Sequence, residues 1–453
     1  MRQYRILIIL SAVLYLACCL PCGAQTRILA LEDAVRLSLE KNQELAMARL
    51  ETDKSHARVT EAWSNTMPAV NFEGTYSRAI KKPVFFLPDF ANPNSGNIIP
   101  IEIGTDHAIN LNFTARQILF NSAVIIGVGA SQVYSDAAHE TYRAKRVETI
   151  AKVRKAFYAA LLAEEVRLMM LENQKNAEDN LRNVELLSKQ GLVSEYDQLR
   201  AQVGVANLRP AVLQAENGAI LSIEALRAVV GLEVTEKISI KGELVYKQIN
   251  EELVERSEEE AVRTNPTLSA LKLAVDVNQA FVNVARSDYF PTLAAFGNYQ
   301  YQAATNQFRI SSNDFIRSST VGLSLTMNLF QGFQTRARVE QAQLEKQKSE
   351  EQLSAFETGL KTGVHSLVLQ LHQAQKRVEA QGKTEEQAQR GYKIASSRFA
   401  NGSGTQLEVN DAQLALTQSK VNRIQAVYDY LVATADLEQA LGIIPSYVPA
   451  EQP

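Results

Sequence analysis

The chain reads twice, and this internal duplication constrains its fold more than any other feature. Glu32-Asp33-Ala34-Val35-Arg36, followed by Asn42-Gln43-Glu44-Leu45, recurs as Glu259-Glu260-Ala261-Val262-Arg263, followed by Asn265-Pro266-Thr267-Leu268. Met67-Pro68-Ala69-Val70 recurs as Phe290-Pro291-Thr292-Leu293, and Gln117-Ile118-Leu119-Phe120-Asn121 as Met327-Asn328-Leu329-Phe330-Gln331. The offset is roughly 210–225 residues, so each copy is one long supersecondary series. Two or three globular domains, the prior from length alone, give way to an elongated chain of two like halves.

Between those paired motifs the pattern alternates with a period of two, which is the signature of strands with one apolar face. Val70, Phe72 and Tyr76 alternate with Asn71, Glu73, Thr75 and Ser77, and Ile109, Leu111, Phe113 and Ala115 with Asn110, Asn112, Thr114 and Arg116. The second half does the same with Leu293, Ala295, Tyr299 and Tyr301, then Val321, Leu323, Leu325, Met327 and Leu329. Strands are expected at about 68–78, 108–120, 291–302 and 319–330, each near the roughly 9–11 residues of a tilted transmembrane strand. A loop with Pro83, Pro88, Pro93 and Pro100 joins the first pair and a polar loop, Ala303 to Ser318, the second. Tyr76, Tyr299 and Tyr301 near strand ends suit an aromatic girdle or packing on other strands.

After each strand pair the apolar period becomes 3.5–3.6. Leu353, Phe356, Leu360, Val364, Leu367, Leu371, Ala374 and Val378 follow spacings of three and four, and Leu407, Leu414, Val421, Tyr428 and Ala435 recur every seven. These spacings predict coiled-coil seams. Helices are expected from about Ser131 to Lys189 and Thr335 to Phe399, the latter roughly 100 Å at 1.5 Å per residue. Each ends at a glycine turn, at Gly191 or Gly402, and returns as an antiparallel partner. Pro210 should kink or break the first returning helix. The resulting domain organisation is a signal peptide at 1–24, a first repeat at 25–232, an inter-repeat segment at 233–257, a second repeat at 258–443 and a tail at 444–453. Ile238 and Ile240 give the inter-repeat segment strand-like character, set against the outside of the helices.

Arg2 and Arg5 before the apolar run Ile6–Leu20, with Cys22-Gly23-Ala24 at its end, predict a secretory signal; a membrane anchor and lipidation at Cys18 or Cys19 are its rivals. Cleavage removes all three cysteines, Cys18, Cys19 and Cys22, so neither a disulfide nor a thiolate metal site is expected. The remaining charge is mixed and mildly acidic, without the basic block that marks a nucleic-acid partner. Four amphipathic strands cannot close a membrane barrel, because an open edge in lipid strands backbone groups and the smallest barrels need about eight. Self-assembly is therefore required: a dimer gives eight strands and a filled interior, a trimer twelve and room for water.

The doubled order of helix, strand, strand, long helix, glycine turn and helix resembles the TolC family of outer-membrane factors over nearly the whole mature chain. The local matches are Gly191-Leu192-Val193 with Asp197 and Ala201, and Gly402 with Thr405, Glu408, Asp411 and Ala412. The resemblance implies a mixed α and β fold: long antiparallel coiled-coil hairpins forming a periplasmic tunnel, and four transmembrane strands per protomer completing a twelve-stranded barrel as a homotrimer in the outer-membrane lipid. It implies an exit duct of tripartite efflux or type I secretion, docked at Gly191, Ser194, Gly402 and Thr405 to a periplasmic adaptor (membrane fusion) protein fed by an inner-membrane pump. A structural periplasmic coiled coil or adhesin-like protein without a pore is the alternative.

Acidic residues at Glu408 and Asp411, with Asp197, would ring a closable, cation-binding entrance in that family. Their local alternative is capping, since Thr405-x-x-Glu408 and Ser194-x-x-Asp197 are capping-box patterns and acids favour the first helical turn. Gly404 stands where the family carries a basic latch, leaving Arg200, which aligns with Asp411, or Arg398 as the gate's cation. His365 and His372, seven apart, suit a solvated helix face rather than a metal. Nothing resembles a nucleophile elbow, a phosphate loop or a metal-helix motif, so no enzyme activity and no cofactor is expected.

Overall fold

The computed structural model describes residues 27–88, 96–308, 311 and 314–448. The expected signal peptide at 1–24, with Cys18, Cys19 and Cys22, and the end of the tail lie outside the described residues. In chain order the first half runs β1 (Arg27–Leu29), α1 (Leu31–Lys41), α2 (Gln43–Ser64), β2 (Ala69–Arg78), β3 (Val84–Pro88), β4 (Ile98–Glu102), β5 (His107–Phe120), α3 (Ser122–Lys189) and α4 (Glu195–Val230). β6 (Ile238–Ile240) and α5 (Glu251–Glu255) follow. The second half runs α6 (Ser257–Thr264), α7 (Pro266–Ser287), β7 (Thr292–Thr305), β8 (Phe315–Thr326), α8 (Gln334–Ala400) and α9 (Gln406–Ala440).

Several boundaries differ from those that periodicity suggests. The fourth strand is β8, Phe315–Thr326 rather than 319–330. The chain turns at the left-handed pair Gly332 (φ 60°) and Phe333 (φ 66°), and Met327, Leu329 and Phe330 belong to the exposed approach to that turn. α3 starts at Ser122 rather than Ser131 because Asn121 caps it, its Oδ1 accepting from the Val124 amide at 3.0 Å. The Pro-rich loop contains a hairpin, β3 against β4, in which Pro88 and Pro100 are tolerated because each strand has only one neighbour. Pro210 sits inside α4 without breaking it. Leu407 and Leu414 are not seam residues: they are 42% and 68% exposed, and Gln406 takes the buried position beside Leu407.

The chain forms two compact units that cut across the repeats. One comprises the chain up to Glu51, His139–Ser269 and Ser354 onward; the other comprises Thr52–Ala138 and Ala270–Leu353. In the first unit, two apolar clusters reflect the duplication. Leu29, Val35, Val153, Phe157, Leu226 and Val230 pack together, and Val364, Leu371, Val378, Tyr430, Leu437 and Leu441 form the second. The inter-repeat segment joins this core: β6 pairs in parallel with β1, and the buried Tyr430 hydroxyl donates to the Lys247 carbonyl and accepts from the Ile249 amide.

The repeats close by one device used twice. Asn42 donates to the Val229 carbonyl (2.8 Å) and accepts from the Leu45 amide (3.0 Å); Asn265 donates to the Ala440 carbonyl (2.9 Å) and accepts from the Leu268 amide (3.0 Å). Each Asn thereby starts the second opening helix while gripping the end of the returning one. The returning helices end at Gly231 (φ 85°) and Gly442 (φ 68°), where a Cβ would lie 2.6 Å from the Lys41 carbonyl oxygen and 2.8 Å from that of Thr264. Only glycine fits these two crossings.

Candidate functional site

In the second unit β2, β5, β7 and β8 form one antiparallel sheet in that order. Register sorts the side chains by face. One face carries the rows Ala69–Arg116–Phe296–Gly322, Asn71–Thr114–Asn298–Thr320, Glu73–Asn112–Gln300–Ser318 and Thr75–Asn110–Gln302–Ile316. The other carries Val70–Ala115–Gly297–Val321, Phe72–Phe113–Tyr299–Ser319 and Tyr76–Ile109–Ala303–Phe315. The apolar face lies open, with Val321 at 87% and Leu323 at 69% exposure. Asn110, Asn112 and Asn298 each hold a buried side-chain oxygen without a partner among the described residues, a partner that a water-lined surface would supply. β2 and β8 each have one neighbour, so both edges of the sheet are free. The sheet is amphipathic and unclosed.

The hairpin tips belong to the first unit. Gly191 (φ 74°) and Gly402 (φ 72°) take the left-handed conformation that ends each long helix. Ser194 and Thr405 then start α4 and α9 with complete capping boxes. Asp197 accepts from the Ser194 amide (3.2 Å) and hydroxyl (2.6 Å). Glu408 accepts from the Thr405 amide at 3.3 Å and lies 3.9 Å from the Arg398 guanidinium. Arg398 also donates to the Ser403 carbonyl at 3.1 Å. A Cβ on Gly404 would lie 3.0 Å from the Phe399 nitrogen and 3.1 Å from the Glu408 carboxylate, so the turn closes where a latch side chain would begin. The structure thus unites Ser194 with Asp197, and Thr405 and Arg398 with Glu408. The side chains of Asp411 and Arg200 have no ion-pair partner among the described residues.

Sequence reasoning missed an amide seam between α3 and α9. Gln413 donates to Asn173 Oδ1 (3.2 Å), Asn180 and Gln406 both donate to Asn410 Oδ1 (3.5 and 3.0 Å), and Lys420 stands 3.9 Å from Glu172. The signal was present as a polar heptad, with Gln406, Gln413 and Lys420 on one helix and Asn173 and Asn180 on the other. Buried oxygens of Gln406 and Gln413 lack partners, so this seam is held less firmly than an apolar one. Of the two histidines, His365 reaches Glu258 at 3.1 Å, and His372 lines the same shallow recess. Among the described residues no cluster of three metal-ligating side chains occurs, and no helix is long and apolar enough to cross a membrane.

Comparison with known proteins places these elements in context. Residues 259–443 match the sequence profile of a family described as "Outer membrane efflux protein". The chain is 22% identical over 406 residues to the outer membrane protein TolC of Vibrio cholerae serotype O1, covering 89% of each chain. It is 22% identical over 311 residues to the alkaline protease secretion protein AprF of Pseudomonas aeruginosa, covering 67% of this chain and 63% of that one. Among solved structures, the CmeC outer membrane channel of Campylobacter jejuni superposes with a TM-score of 0.74 at 16% identity, over 91% of this chain and 85% of that one.

Proposed function

We propose that the chain is a member of the outer membrane efflux protein family and is the outer-membrane exit duct of a tripartite efflux or type I secretion system. The observation that carries this reading is the open amphipathic sheet, apolar on one face, amide- and hydroxyl-lined on the other, with both edges free. Three copies joined edge to edge make a twelve-stranded barrel, its apolar face in outer-membrane lipid and its amide rows on an aqueous lumen. Exposed Tyr196, Leu199, Val203, Leu213 and Ile220 recur at heptad spacings along α4 and support further packing between copies. The two repeats, 25–232 and 258–443, then contribute equivalent halves of each protomer's wall.

Conduction is passive. The polar face bears only two charges, Glu73 and Arg116, of opposite sign, so selection of cargo falls to an inner-membrane pump and the periplasmic adaptor that joins it at the tips around Gly191, Ser194, Gly402 and Thr405. The amide seam between α3 and α9 is where the periplasmic end parts on opening. A pore-free coiled-coil protein has no use for a sheet with an uncovered apolar face. Single-channel recording in a planar bilayer tests the reading: purified oligomer should give discrete conductance steps, and an assembled oligomer that inserts without them overturns it.

A further inference from the structure

Only two charged residues other than histidine stand on the apolar face of the four-stranded sheet, and both are cations. The outward rows collect Val70, Phe72, Gly74, Tyr76 and Arg78 on β2, and Phe315, Arg317, Ser319, Val321, Leu323 and Leu325 on β8; β5 and β7 add His107 but no Lys, Arg, Asp or Glu. His107 is covered, accepting or donating at 2.8 Å with the Tyr76 hydroxyl and meeting the Phe308 ring. The arginines are exposed. Arg78 ends β2 and Arg317 is the third residue of β8, so both lie at the end of the sheet that carries the long loops. Neither forms an ion pair with a described carboxylate, whereas nearby Lys82 is paired with Asp106 at 3.1 Å. The Arg317 guanidinium lies 5.5 Å over the Tyr301 ring, which also packs against Tyr299 and Phe315.

A cation on a lipid-facing strand is costly at mid-bilayer and tolerated near the headgroups, where an anion can meet it. These two arginines occupy the two free edges. Closing the barrel joins β8 of one copy to β2 of the next, which puts Arg317 and the neighbour's Arg78 on the same face, at the same end, of each seam. We propose that each seam binds the phosphate of an outer-leaflet lipid headgroup between these two arginines, over an aromatic floor of Tyr301 and Phe315. The site rests on the barrel reading given above and adds its lipid ligand. Arginine suits it, because the planar fork donates to phosphate oxygens in pairs while the ring beneath holds it in the interface plane.

The test uses purified oligomer reconstituted with phosphatidylcholine, with or without diphosphorylated lipid A, and native mass spectrometry to count lipid retained after detergent exchange. Wild type should retain lipid A over phosphatidylcholine. Arg317→Gln and Arg78→Gln should each lower retention about fivefold and the double variant about thirtyfold, from the usual contribution of one basic residue at an anionic surface. Excess inorganic phosphate should not displace the lipid, since its acyl chains supply the remaining affinity. Equal retention by wild type and single variants, with conductance steps intact, overturns the lipid site and leaves the duct standing. Loss of conductance in wild type defeats the duct instead. If the double variant fails to assemble, the single variants decide.

Discussion

The amide seam between α3 and α9 makes a prediction whose sign depends on replacing one partner or both. Gln413 gives one hydrogen bond to Asn173 at 3.2 Å while its own Oε1 is buried without a partner. Asn173→Leu alone removes a bond worth about 0.5–1.5 kcal/mol and strands the Gln413 amide as well, so the seam should weaken by about 1–3 kcal/mol. Replacing both with leucine loses the same bond, about 1 kcal/mol, but also removes the orphaned oxygen, relieving about 2 kcal/mol, for a net gain of about 1 kcal/mol per protomer. If three protomers part together, about 3 kcal/mol opposes opening and the open fraction falls roughly a hundredfold. Single-channel recording measures that fraction, and far-UV circular dichroism during heating reports helix stability. The single variant should open more often than wild type and the double variant less. A double variant as open as wild type, with helices intact, would refute the assignment of this seam as the parting surface.

Glycine substitutions separate the repeat closures from the tips. Gly191→Ala and Gly402→Ala meet no atom within 4 Å and cost only the left-handed penalty of about 1 kcal/mol, whereas Gly231→Ala and Gly442→Ala also drive a Cβ into a backbone carbonyl and should prevent folding, as melting profiles will show. The acid limb of stability should depend on Glu44 and Glu148. Hydrogen bonds from Lys145 and then Lys152 lower the Glu44 pKa; burial raises that of Glu148, but its bonds to Lys152 and Lys145 outweigh this and leave it lowered. Carboxylates lowered in the fold stabilise it fully above their unfolded value and lose that contribution as pH falls through the folded one. The Glu44→Gln/Glu148→Gln variant should therefore melt closer to wild type below about pH 4.5 than at neutral pH; an equal deficit at both pH values contradicts the network.

Alternation made the four strands legible, because a sheet with one wet face and one apolar face must write its period into the sequence. The long helices and glycine turns were legible for the same reason. What the sequence concealed follows from rows that look alike whatever covers them. Leu407 and Leu414 repeat every seven residues as a seam would, but α9 turns Gln406 inward and leaves them exposed. The β3–β4 hairpin was hidden by Pro88 and Pro100, which forbid a central strand but not a two-stranded one. Asn42 and Asn265 stood out as a repeat, yet their grip on the returning helices joins residues far apart in sequence.

The tips pose the sharper problem, since one acid can serve as cap, latch partner or ring member. Asp197 is committed to Ser194, and Glu408 is divided between Thr405 and Arg398. Arg398 is in turn tied to the Ser403 carbonyl. That leaves Asp411 and Arg200, which occupy equivalent positions in the two repeats with opposite charge and no ion-pair partner among the described residues. If copies assemble into a ring in which the two tips alternate, as the proposed duct requires, these anions and cations alternate as well. Each exposed Arg200–Asp411 contact is worth about 0.2–1 kcal/mol, and three acting together about 0.6–3 kcal/mol, enough to change the open fraction roughly threefold to a hundredfold. Asp411→Arg should open the channel and weaken block by multivalent cations, and adding Arg200→Asp should restore closure but not the block at its original site. If the reversed pair stays open while each hairpin remains folded, Asp411 and Arg200 do not meet, and closure rests on the amide seam alone.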